Sequence, residues 1–131
     1  MTASNSPRRA AAARSARSLE HWSVDAGEGD VAHLDIPPDA QRERSFEISC
    51  SLVVTQRGGD EDDPAWHALK VLVDGAQQWS RRAATHPGPR DSLDVQFRRA
   101  VPAGQPLRLT AISQVHRAAR LRLTIVAEEE D

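Results

Sequence analysis

Between residues 45 and 55 the chain sets Phe46, Ile48, Cys50, Leu52 and Val54 on every second position, with Glu47, Ser49, Ser51 and Thr55 between them. Val53 is the exception. Successive strand side chains point to opposite faces, whereas a helix gathers residues three or four apart. So long an alternation is a half-buried strand, and it needs other strands to pair with and a second layer to cover its apolar face. The same period returns at Leu93, Val95 and Phe97, at Leu107, Leu109 and Ala111, and at Leu121, Leu123 and Ile125. Weaker alternations cover residues 20–24 and 31–36, and no segment carries a convincing helical stripe.

Turn chemistry separates these runs. Asp74-Gly75 joins 69–73 to 76–82 and is a strong hairpin signal, because a type I′ turn needs positive φ at both central residues. Pro37-Pro38, His86-Pro87-Gly88-Pro89 and Val101-Pro102-Ala103-Gly104 interrupt strands and mark connections. The spacing predicts an all-β fold, an antiparallel two-sheet sandwich of jelly-roll or immunoglobulin-like type with about eight short strands. Residues 19–127 form the predicted domain. Residues 1–18 read as a disordered basic tail rich in Ala, Arg and Ser, and 128–131 as an acidic tail. The segment 56–65, QRGGDEDDPA, reads as a long, mobile acidic loop.

The net charge of −2 hides a division along the chain. Residues 1–18 carry four Arg and no acid, 19–66 are strongly acidic, and 67–127 carry ten Lys and Arg against three Asp. Such blocks neutralise one another within a monomer or between copies. A single cysteine, Cys50, excludes an internal disulfide and thiolate-rich metal sites. Its register with Phe46 and Leu52 places it in the core. No apolar stretch is long enough to span a bilayer, so the expectation is a soluble protein, cytoplasmic by default. Organelle targeting by the tail stays open.

Catalytic and cofactor signatures are lacking. There is no G-x-S-x-G elbow, and Gly58-Gly59 is followed by four acids rather than by Lys-Ser/Thr, so it is no phosphate loop. The histidines (His21, His33, His67, His86, His116) show no H-x-x-x-H or H-E-x-x-H spacing. No cofactor, metal or catalytic residue is assigned. An enzyme whose residues converge only in three dimensions is the third reading.

Two surfaces carry the functional expectation. In an ideal two-residue hairpin Lys70 lies opposite Trp79, and Trp66, Lys70, Trp79 and Arg81 share one outward face. Indoles beside cations stack on sugar rings or planar groups, which suggests a lectin-like module for a carbohydrate or other small ligand. The second surface gathers Arg98, Arg108, Arg120 and Arg122, which the alternation turns outward on the last strands, with Arg99 and Arg117 extending it. Guanidinium groups favour bidentate carboxylates, so this face suits a protein partner or another copy of the chain, and that non-catalytic assembly role is the leading expectation. Nucleic acid is disfavoured, since the folded part is not basic overall, Tyr is absent and only two Phe are available for stacking.

Overall fold

The computed structural model describes residues 18–131. The basic tail read from the sequence lies almost wholly outside them. Eight strands follow in order: β1 (His21–Asp25), β2 (Val31–Ile36), β3 (Arg44–Gln56), β4 (Trp66–Val73), β5 (Ala76–Ala84), β6 (Asp91–Val101), β7 (Leu107–His116) and β8 (Ala118–Glu129). Among the described residues there is no helix, hence none long and apolar enough to cross a membrane.

The strands form two antiparallel sheets, ordered β1-β8-β3-β6 and β2-β7-β4-β5 and called sheet 1 and sheet 2 below. Four pairs are nested, β4 with β5, β3 with β6, β2 with β7 and β1 with β8. A long folded ribbon rolled into two layers gives this order. It is a jelly roll, one of the two sandwich types expected.

The core lies where the alternation puts it. Phe46, Ile48, Cys50, Leu52 and Val54 of β3 are buried and meet Leu69, Val71 and Val73 of β4, with Leu107, Leu109, Leu123 and Ile125 beside them. Burial pushes the Cys50 thiol up to about 12, so it packs as a small apolar group rather than reacting. The Asp74-Gly75 turn has φ of 51° and 84°, both positive as a type I′ turn requires.

One end of the sandwich carries the connections 37–43, 74–75 and 102–106, and an ionic clasp closes it. Arg44 is 3% exposed; it donates to Glu20 Oε1 at 2.8 Å and to the Pro37 carbonyl at 2.9 Å, and lies over the Phe46 ring. Arg42 bridges Asp39, Glu20 and Glu129. The Glu20 and Glu129 backbones join the same network. Glu128 and Glu129 therefore belong to β8 and are not a tail. Strand pairing and the clasp carry the element past the boundary expected at residue 127.

Candidate functional site

Two β-bulges and the order of the sheets decide where the expected site residues fall. In β5 the register moves from Leu72↔Gln77 to Val71↔Trp79, which leaves Gln78 without a partner. Lys70 therefore faces Ser80, and Trp79 faces Val71, on the inner side. Trp79 is half-buried against the core. Arg81 is opposite the buried Leu69 and emerges at the strand edge. Trp66 and Lys70 alone of the four keep the outward face, so the platform of Trp66, Lys70, Trp79 and Arg81 does not form. An extra residue flips every side chain beyond it.

The second bulge lies in β8, where Val53↔Arg122 gives way to Val54↔Arg120 and Leu121 is the extra residue. Arg120 turns inward with Val54, and its Nε donates to Ser113 Oγ of the opposite sheet at 2.7 Å. Arg98 and Arg122 stay on the outer face of sheet 1, separated by β3, and pair with Glu130 and Asp25. Arg108 lies on sheet 2 against Asp35. The four arginines occupy three different surfaces, and three of them have acidic partners from the same chain. A single Arg face is therefore absent. Arg99 is opposite Phe46 in register, and Arg117 sits in the β7–β8 turn with φ of 54°.

What the fold does assemble is a stack on the outer face of sheet 2. The Arg82 guanidinium lies 3.7 Å from the Trp66 ring centroid. On β7, next to β4, His116 stacks on the indole at 5.8 Å and 20°. Asp63 then accepts from His116 Nε2 at 2.6 Å and from Arg117 Nε at 2.9 Å. Asp60 caps the turn below it, accepting from the backbone of Asp62 and Asp63. Asp63 thus ties the C-terminal end of the acidic loop to the sheet, a contact that composition does not reveal. The hydrogen bond from His116, then that from Arg117, holds the Asp63 carboxyl below its usual range.

Below the stack, the outer face carries Ala68 and Leu72 of β4, Ile112 of β7 and Val31 of β2. Register rows set Val31, Ile112 and Lys70 side by side, then His33, Thr110 and Leu72. Val31 is 36% exposed, and Ile112, Leu72 and Ala68 are half-buried with no layer above them among the described residues. Lys70, Arg82 and His33 surround them. Sequence reasoning missed this face because the apolar residues that build it come from three strands and form no run. The outward register of Ala68, Lys70 and Leu72 with Trp66 was the available signal.

A groove of about 460 Å³ at the clasped end is lined by Ile36, Pro37, Pro106 and Leu107, with Asp35, Asp74 and Arg108. Its charges are mutually engaged: Asp35 pairs with the Arg108 side chain and Asp74 accepts from the Arg108 amide at 2.9 Å.

No protein-family model matches the chain, and no curated protein does. Among solved structures it is similar to dimeric latent PorU from Porphyromonas gingivalis, at 10% identity and a TM-score of 0.53, over 86% of this chain. It spans 13% of the PorU chain. The likeness is one of fold. A match to the VP2 subviral particle of infectious bursal disease virus has 11% identity and a TM-score of 0.39, over 85% of this chain and 32% of that one.

Proposed function

We propose that the chain is a non-catalytic binding module that presents the outer face of sheet 2 to a protein partner. The observation that carries this reading is the uncovered apolar patch in which Val31 lies beside Ile112 and Leu72 and Ala68 lie diagonal to it, next to Lys70, Arg82 and the Trp66 stack. Apolar centres rimmed by charge are the usual anatomy of a protein interface. The rim is basic once Arg108 is matched to Asp35, so the complementary partner offers apolar side chains ringed by carboxylates. A rigid indole already desolvated by its neighbours also loses little freedom on contact.

Geometry gives the carbohydrate alternative less. Trp79 faces inward, and both faces of the Trp66 ring are occupied, by Arg82 and by His116. A sugar would have to displace one of them. For the enzyme alternative, the close hydroxyl–imidazole pair Thr85–His67, at 2.7 Å, is buried away from any substrate.

The test is site-specific photocrosslinking in the native host, with benzoylphenylalanine at Leu72 or Ile112 and a control at Ser49 on the other sheet. One partner should be captured from both sheet 2 positions and not from Ser49, and Lys70→Glu with Arg82→Glu should abolish the capture. Equal labelling from both sheets, or labelling indifferent to the charge reversal, would remove the proposal.

A further inference from the structure

The two sides of the sandwich differ. On one side the edge strands β1 and β2 pack against each other, so neither edge stands alone. On the other, β5 and β6 end their sheets with one neighbour each. The bulge at Gln78 disrupts β5, a common way to blunt a free edge. β6 has no bulge: from Arg44↔Val101 to Val54↔Asp91 its pairing with β3 runs without a shift, and its inward-facing charges, Asp91 and Arg99, stand toward its two ends and leave the middle of the edge clear. It holds neither Pro nor Gly, and its second edge has no strand partner among the described residues. A long, regular, uncovered edge is a template for another strand.

The side chains of β6 indicate which strand. Its outward residues are Ser92, Asp94, Gln96, Arg98 and Ala100, acidic before Gln96 and basic after it. We propose that β6 pairs antiparallel with β6 of a second copy about a twofold axis through Gln96, joining two four-stranded sheets into one. Directly opposite residues then lie equally far from Gln96, so Asp94 of each copy faces Arg98 of the other, twice. On the inner side Val95 faces Phe97, and both are half-buried residues at the open side of the core. Centring the axis on Asp94 or on Arg98 would set like charges against each other, and centring it on Phe97 would leave the charges unmatched; centring it on Val95 would match only Arg99 with Asp91, whose carboxylate already accepts from the His86 and Ser92 amides. Opposite charges directly across strands stabilise pairing and like charges oppose it, so the exposed pair Asp94 and Arg98 favours the register centred on Gln96. The Arg98 side chain is 73% exposed, which leaves it free to reach a second carboxylate besides Glu130. A self-complementary patch of this kind closes on itself as a dimer.

This inference uses a surface apart from sheet 2 and does not depend on the binding role assigned there. A twofold axis normal to the sheets leaves both sheet 2 outer faces pointing the same way, so the dimer would present two such faces side by side.

Sedimentation equilibrium over a concentration series, on the full chain, reads the assembly directly. The wild-type chain should reach a reversible dimer. Asp94→Arg and Arg98→Asp, each placing like charges opposite one another, should weaken it at least tenfold. The double variant Asp94→Arg/Arg98→Asp should restore it, because the pair is only exchanged. These side chains are exposed, and circular dichroism checks that each variant keeps its strands. Under mild oxidation Gln96→Cys should give a disulfide-linked dimer, while Ser92→Cys, opposite Ala100, should not. A wild-type monomer at every concentration overturns the proposal. So does a double variant no better than the single ones, or equal crosslinking from Gln96→Cys and Ser92→Cys.

Discussion

At the residue scale, burial sets the chemistry of the polar groups inside the sandwich. His67 is 1% exposed on the inner face of β4, where Nδ1 meets Thr85 Oγ1 and Nε2 finds no partner in the protein. Desolvation lowers its pKa, opposed by the nearby Asp91 carboxylate and assisted by His86. The unfolded chain then binds a proton at His67 at a higher pH than the folded chain does. Stability should therefore fall as pH drops through the ordinary histidine range toward the lowered folded value, and level off below it as far as His67 is concerned. Urea midpoints measured across that range should show the slope, and His67→Asn, which keeps a polar contact for Thr85 but does not titrate, should reduce it. The core position of Cys50 was legible from period two alone. The orphaned nitrogen of His67 was not, since alternation gives the face of a residue and says nothing of its hydrogen bonds.

At the scale of elements, the strands and their turns could be read from the sequence because period two and the φ demands of Asp74-Gly75 are local properties. The bulges are not local. Gln78 and Leu121 look like ordinary members of alternating runs, and only their partners on β4 and β3 show them to be extra. The tryptophan platform fails through register carried past Gln78, and Arg120 leaves the Arg face through register carried past Leu121, whereas Arg108 leaves it because β7 lies in the other sheet. The bulge in β8 gives Arg120 and Arg122 different duties. Arg120 is half-buried and donates to a buried hydroxyl, whereas Arg122 is exposed beside an exposed aspartate. Arg120→Ala should cost about 1.5–3 kcal/mol, as for a hydrogen bond to a charged group. Arg122→Ala should cost roughly 1 kcal/mol or less, the range of surface ion pairs. Chemical denaturation of the two variants would expose a regular, unbulged β8 if the costs came out reversed.

Over the whole molecule, the charge blocks of the sequence meet within one chain. Asp25 with Arg122, Asp35 with Arg108 and Asp63 with Arg117 each join the acidic first half to the basic second half. Neutralisation inside the monomer was one of two arrangements the composition left open, and strand order, invisible in a single sequence, decided it for these pairs. The nested pairing that brings those halves together also governs how the molecule is made. β8 lies between β1 and β3, with His21 paired to Glu128 across nearly the whole chain. While the protein is being synthesised, the β4–β5 hairpin has its neighbour at once, but β1 has none until the last strand emerges from the ribosome. A nascent chain halted before residue 118 should therefore be readily cleaved by protease, and one extended through 129 and clear of the exit tunnel should resist. Pairings so distant in sequence also place refolding of the complete chain in roughly the millisecond-to-second range, measurable by stopped-flow fluorescence. The time before β8 arrives is when the apolar face of β3 is open to the wrong neighbour.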